Sequence, residues 1–416
     1  MLRGQRQRGI ASLAKQIHRP PSFSSLPAAD HERYRPMTIG SVTTQFFHLN
    51  EPFTLESGES LATLTLAYET YGLLNADASN AILVFHALTG SQHAAGVNLA
   101  VPGVAPLWTD ECVTGWWDEF IGPGKALDTD LYCVICVNYL GSCYGSTGPR
   151  SINPQTGKSY GSQFPKISAA DIVRSQILLL EHLGIHCLHA AVGGSLGGML
   201  AILLATRFPD RVKRIIPLAS GFQTTVIQRV QNFEQIVAIC NDPDFNNGDY
   251  YDGPHPKAGI ILARMISHKT FVSLDVLEKR AKQEVLHPDE TGQQYELSTP
   301  IESYMFYQGK KFAERFDANS YLRIMDVWRS YSLEAVTPKI FQGCEHQQYL
   351  VFSIDSDVCF YPEEQFAIVK ALEAAEVPVK YITVHSNKGH DSFLLEPELY
   401  SPYIRFALTD GCFQPA

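Results

Sequence analysis

The sequence predicts an α/β protein built on a mostly parallel sheet with helices on both faces and a helical segment inserted late in the chain. Three observations carry that expectation. Residues 81–86 and 131–138 are continuous apolar runs that end abruptly in glycine or polar residues, as fully buried parallel strands do. Strand-like and helix-like segments alternate in quick succession from residue 169 to residue 219. Between residues 223 and 338 the strand pattern fades into a mixed polar, helix-forming stretch with a Gly/Pro/Asp-rich break at 246–257.

In chain order, residues 1–38 come first as a basic leader. They hold Arg3, Arg6, Arg8, Lys15 and Arg19 with several serines and no acid before Asp30. That is the composition of an organelle transit peptide, of a disordered basic tail, or of a reading frame started too far upstream. A mitochondrial or a cytoplasmic location follows. Residues 39–71 alternate and are rich in β-branched side chains, which fits antiparallel strands forming an edge ribbon. Residues 169–183 place Ile172, Val173, Ile177, Leu180 and Leu183 at helical spacing, and Gly184 closes that helix. A strand at 188–192, a helix at 199–206 and a strand at 214–219 come next. After the insertion the core resumes with a strand at 349–354, a helix at 363–375, a strand at 379–384 and a closing helix through Arg405. The expected divisions are a leader (1–38), a first core part (39–222), a helical cap (223–338) and a second core part (339–416).

Apolar residues make up 45% of the 416 and charged residues 18%, ample for one core of this size with an insertion. The formal charge of −10 lacks the basic excess that nucleic acid or an anionic membrane surface would require. No run reaches the ~18–20 apolar residues of a membrane-spanning helix. Nine cysteines, an odd number in no repeated framework, fit reduced thiols better than a disulfide scaffold. Cys133 and Cys136 stand three apart in an apolar strand, so they face opposite sides of the sheet and read as core thiols rather than a zinc or redox pair. No metal site and no tightly bound cofactor is expected.

Residues 193–197, Gly-Gly-Ser-Leu-Gly, lie between a strand and a helix. A GxSxG sequence in that setting is the nucleophile elbow of the α/β-hydrolase fold, with Ser195 as the nucleophile. A strand that turns at once into a helix strains the serine backbone and crowds its neighbours, hence the glycines. The helix N-terminus and the N–H of Leu196 are then placed to stabilise a developing oxyanion. In a chain with 30 glycines the pentapeptide alone proves little, and the downstream residues decide. An acid, Asp355 or Asp357, follows the next-to-last strand, and His390 follows the last, in the Ser, Asp, His order of this fold. Asp357 is the preferred acid, with Asp355 as its rival late in the strand; the sequence does not say which of the two faces the histidine. His390 takes the serine proton and the carboxylate fixes its tautomer. The loop of residues 86–90 supplies the second oxyanion donor, the N–H of Leu88 or Thr89, with His86 in a structural role at its corner.

The chain closely resembles the homoserine O-acetyltransferase family. The matching segments are residues 85–90, 115–118, 121–125, 138–149, 151–154, 192–199, 263–266 (Ala-Arg-Met-Ile), 316–321 (Phe-Asp-Ala-Asn-Ser-Tyr) and 389–393 (Gly-His-Asp-Ser-Phe), and they run through nearly all of the chain beyond residue 40. The resemblance implies transfer of an acetyl group from acetyl-CoA, as cosubstrate, to the hydroxyl of L-homoserine by double displacement through Ser195, in methionine biosynthesis. It implies that Arg264 binds the amino-acid carboxylate and Asp391 its ammonium, and that two copies pair through the cap helices. Three departures stand out. Phe271 replaces a tyrosine that the family often shows, residues 200–204 lack the family's tryptophan, and the loop 94–114 is long. Serine as acceptor and succinyl-CoA as donor therefore stay open, and so does hydrolysis by the same triad.

Overall fold

The computed structural model describes residues 38–282, 291–292, 295–333 and 338–409; all but the last residue of the basic leader lies outside them. Eight strands form one sheet: β1 (Gln45–Leu49), β2 (Leu64–Tyr71), β3 (Ala81–Phe85), β4 (Cys133–Val137), β5 (Ala190–Gly194), β6 (Arg214–Leu218), β7 (Gln348–Ile354) and β8 (Val379–Val384). Their spatial order is β1-β2-β4-β3-β5-β6-β7-β8. β1 and β2 pair antiparallel at the edge, β2 meets β4 antiparallel, and every other pairing is parallel.

The apolar runs are continuous because both faces of the sheet are covered. Leu83, Phe85, Cys133, Ile135 and Val137 pack into one core cluster, while Ile82, Val84, Val134 and Cys136 pack into the other. The two cysteines of the CxxC are thus on opposite faces, and all eight described cysteines are free thiols. α1 (Ala169–His182) and α2 (Leu196–Arg207) cover the first face. Ser168 and Asp171 start α1 with a capping box, and Asp171 also accepts from Glu56 N at 2.8 Å, fastening the helix to the opening segment. The last helix, Pro397–Thr409, lays Tyr400, Ile404 and Leu408 on the second face.

Two elements begin away from where their sequence pattern points. The strand expected at 188–192 runs Ala190–Gly194, and the helix expected from 199 already begins at Leu196. Gly193, Gly194, Gly197 and Gly198 favour neither state locally. The strand pattern therefore fades early and the helix pattern starts late, across the turn that carries Ser195.

Between β6 and β7 lie α3 (Val226–Cys240), α4 (Lys257–Phe271), α5 (Leu274–Arg280), α6 (Pro300–Arg315) and α7 (Ala318–Ser330). Thr225 with Gln228 and Thr299 with Glu302 form capping boxes, while Ser273 and Asp317 cap α5 and α7. α4 packs between α3 and α6. A Cβ on Gly259 would come within 2.8 Å of the α3 backbone, and one on Gly309 within 2.9 Å of Ile261 O, so glycine lets α4 approach both neighbours. No described helix is long and apolar enough to cross a membrane.

Candidate active site

Ser195 sits between β5 and α2 with φ 59° and ψ −127°, a conformation that costs a residue with a side chain roughly 1–3 kcal/mol. The surrounding contacts hold it there. A Cβ on Gly197 would lie 2.2 Å from Phe85 O at the end of β3, one on Gly193 2.4 Å from the Gly197 carbonyl, and one on Gly194 2.3 Å from the Phe393 ring. The three glycines therefore let the turn sit directly against β3 and against the segment that carries His390.

His390 occupies a short turn after β8, and Asp357 follows the end of β7. Asp357 is buried; one carboxylate oxygen accepts from the N–H groups of Cys359 (2.7 Å) and Phe360 (2.9 Å), and the other meets His390 Nδ1 at 2.7 Å. Asp355 turns instead to the exposed end of β8, where it meets His385 Nδ1 at 2.8 Å and accepts from Ser386 N at 3.1 Å. The His390 ring stacks on Phe360 at 5.4 Å and meets Phe393 edge-on at 5.3 Å. Burial works against its imidazolium, but the charge and hydrogen bond of Asp357, with the charges of Asp391 and Glu364, outweigh that and raise its pKa. Its Nε2 is buried and bonds to no described residue. Ser195 and His390 line the same cavity, of about 180 Å3. Their mutual hydrogen bond is not formed, and such contacts often close only around a bound substrate.

Leu88 and Thr89 line this cavity too. The N–H groups of Leu88, Thr89 and Leu196 donate to no described residue. His86 is buried at the corner of the loop, stacked on Tyr139 at a centroid distance of 3.6 Å, and burial lowers its pKa to about 4.

Arg264 and Asp391 reach the cavity from α4 and from the residue after His390. The Arg264 guanidinium lies 5.1 Å from the Phe271 ring and 5.2 Å from Phe312, with Nε buried and unbonded. Burial, then the neighbouring charge of Arg315, lowers its pKa. At position 271 the chain thus offers an aromatic face to a guanidinium. Burial pushes the Asp391 carboxyl up to about 6, against the opposing pull of His390 and Arg264.

Several residues here went unnoticed in the sequence. Arg315, at the end of α6, donates to Thr89 O (3.3 Å) and to Tyr144 Oη (3.0 Å), tying α6 to the loop of residues 86–90. It also stands 3.7 Å from Glu111, which pairs with Lys311 as well. Glu111 belongs to the long loop 94–114, which with Cys112 lines an adjoining cavity of about 240 Å3 sharing Thr89, Gly90, Trp116 and Arg315 with the first. The only sequence signal for Arg315 is its place directly before the 316–321 segment. Glu364, half-buried and within reach of the charges of Asp357 and His390, is pushed up to about 7, chiefly by desolvation. Among the described residues no group of three or more side chains could hold a metal ion.

Residues 80–397 match a family model described as the alpha/beta hydrolase fold. A homoserine O-acetyltransferase from Methanohalobium evestigatum is 43% identical over 362 residues, covering 86% of this chain and 72% of its own length. The chain belongs to the homoserine O-acetyltransferase family. Family members are acyltransferases, and their named donors differ. A homoserine O-succinyltransferase from Nitrosomonas europaea is 41% identical over 373 residues, 88% of this chain and 96% of its own. Among solved structures, the homoserine O-acetyltransferase of Bacillus anthracis superposes with a TM-score of 0.79 at 27% identity, over 90% of this chain and 99% of its own. Esterase E22 does so at 0.77 and 27%, over 88% and 100%, so the family's architecture also hosts ester hydrolysis.

Proposed function

We propose that this chain transfers an acetyl group from acetyl-CoA to the side-chain hydroxyl of L-homoserine, in methionine biosynthesis, through an acyl-enzyme on Ser195. The observation that carries the reading is the pairing of His390 Nδ1 with buried Asp357, which leaves Nε2 unbonded in the cavity that holds Ser195, Arg264 and Asp391. In the first half, His390 takes the Ser195 proton as Oγ attacks the thioester carbonyl. The N–H groups of Leu196 and of Leu88 or Thr89 steady the oxyanion. The intermediate collapses, the C–S bond breaks, and the coenzyme A thiolate leaves with the proton from His390. In the second half, His390 deprotonates the amino-acid hydroxyl, which attacks the acyl-enzyme, and Ser195 recovers its proton as the new ester departs. Coenzyme A enters and leaves as a cosubstrate, and no step requires a tightly bound cofactor.

Arg264 and Asp391 give a zwitterion one cation and one anion near the nucleophile. Arg264→Ala is expected to raise KM for the amino acid by about ten- to a hundredfold with a smaller change in kcat; steady-state kinetics with homoserine check it, and an unchanged KM removes Arg264 from substrate binding. Asp391 must be ionised to hold the ammonium. Use of the amino acid should therefore fall as pH drops through about 6.

Two observations favour variants of this reading. Phe271 supplies no hydroxyl, so a polar contact that could select homoserine over L-serine is missing, and a relative is named for succinyl transfer. Thiol release from acetyl-CoA or succinyl-CoA, each with homoserine or with serine, separates all four. Release at the same rate without any amino acid would replace transfer by thioester hydrolysis.

The homodimer is assigned to α3, where Val226, Val230, Phe233 and Val237 recur at helical spacing on an exposed face, Val226 being 80% exposed. Sedimentation equilibrium should give twice the chain mass for the wild type and the monomer mass for Phe233→Asp; a monomeric wild type defeats the assignment.

A further inference from the structure

A separate cavity of about 230 Å3 is lined by Arg150, Ser159, Tyr250, Tyr251, Gly253 and His255, and it shares no lining residue with the Ser195 cavity. That volume lies below the ~300–1,000 Å3 of pockets for drug-sized ligands and well above the ~30 Å3 share of one water. It suits a small ion or compact polar group.

Two side chains face it with their polar atoms unused. Arg150 makes no hydrogen bond or ion pair with any described residue; its guanidinium lies 6.0 Å from the Tyr251 ring. Both ring nitrogens of His255 are buried and without a partner, a state that costs free energy until something bonds to them. The backbone fixes that placement, because His255 stands between Pro254 and Pro256, and Tyr250 meets its ring edge-on at 5.5 Å.

The surrounding charges do not answer Arg150. Asp317, the buried carboxylate whose charge acts on His255, accepts from Tyr250 Oη (2.6 Å), Tyr251 Oη (3.0 Å), and Ser320 N and Oγ (both 2.8 Å). The two tyrosines, not the carboxylate, line the cavity. Lys257, which also acts on His255, is paired with Glu314 at 2.7 Å. An unanswered guanidinium and an imidazole N–H converging on a small cavity match a compact anion with several acceptor oxygens.

We propose that this cavity binds a phosphate-sized oxyanion through the Arg150 guanidinium and an N–H of His255. Two sources present that chemistry: inorganic phosphate free in solution, and a phosphate group on the acyl-CoA donor. The site itself does not depend on the acyltransfer reading; only the second source does.

The test titrates the full chain with inorganic phosphate, by calorimetry and by melting temperature, against chloride at equal ionic strength. Saturable binding is expected for the wild type, weaker by at least about tenfold in Arg150→Ala and in His255→Ala. Arg150→Lys should retain part of it, since the charge survives and the fork does not. In chloride, Arg150→Ala should melt close to the wild type, because the side chain has no hydrogen bond or ion pair to lose and only a distant, 6.0 Å contact with the Tyr251 ring. A raised KM for acetyl-CoA in Arg150→Ala, with an unchanged KM for phosphate-free acetyl-pantetheine, assigns the site to the donor; unchanged values for both assign it to the free ion. No saturable effect of phosphate on the wild type, or wild-type affinity retained in both alanine variants, overturns the proposal and leaves the cavity to water.

Discussion

Replacing Ser195 with alanine is expected to lower turnover at least about a thousandfold while leaving KM for the acyl-CoA close to its original value. On the proposed mechanism the donor's binding surface is untouched, and what disappears is the atom that would become acylated. Direct attack by the amino-acid hydroxyl on the thioester remains available, assisted by His390 and the oxyanion donors, so a residual rate above the uncatalysed one should persist. Because φ 59° at this position is imposed by the contacts of Gly193, Gly194 and Gly197, alanine bears the same strain as serine and the fold should survive. Thiol release measures the rate. Intact-mass spectrometry with acyl-CoA alone supplies an independent reading, since the wild type should carry one acyl group and the variant none. Near-normal turnover would show that the elbow is not the nucleophile's seat.

The parts of this site that could be read from sequence are those whose placement is local. β3 and β4 announce themselves because every position in them is buried, and the elbow does so because close approach by the end of β3, the turn's own backbone and the Phe393 ring tolerates only glycine. The same glycines blurred the ends of β5 and α2. Asp355 and Asp357 could not be separated because both lie beyond Ile354, where strand alternation no longer governs side-chain direction. The fold separates them by what waits on each side, the exposed His385 or the buried His390. Arg264 reads by periodicity as an outward residue of an amphipathic helix. Only the resemblance pointed to it, and its burial arises from α4 being packed between α3 and α6. Arg315 is 226 residues from Thr89, a contact set wholly by tertiary packing that no local pattern could reveal.

Asp357→Asn should be nearly as damaging to turnover as loss of the nucleophile, by about three to four orders of magnitude, with little change in structure. Asparagine has the shape of the carboxylate, and its carbonyl oxygen can keep accepting from the N–H groups of Cys359 and Phe360. The amide NH2 is then turned toward His390 Nδ1. A donor facing Nδ1 forces the proton onto Nε2, the wrong tautomer to accept a proton from Ser195. Whatever activity is left should also move on the pH axis. Asp357 supplies the largest part of the pull that raises the His390 pKa against burial, and without it burial prevails and the pKa falls. Since the base works only when neutral, wild-type acylation should rise with pH through a pKa above that of an ordinary imidazole, and the residual activity of the variant should rise at lower pH. Asp355→Asn is the control. Its partner His385 is 82% exposed, so its pair contributes little, and turnover should match the wild type. A pH–rate series on the two variants decides between the acids, and the reverse pattern, with Asp355 indispensable and Asp357 dispensable, would move the carboxylate of the triad to the other side of the turn.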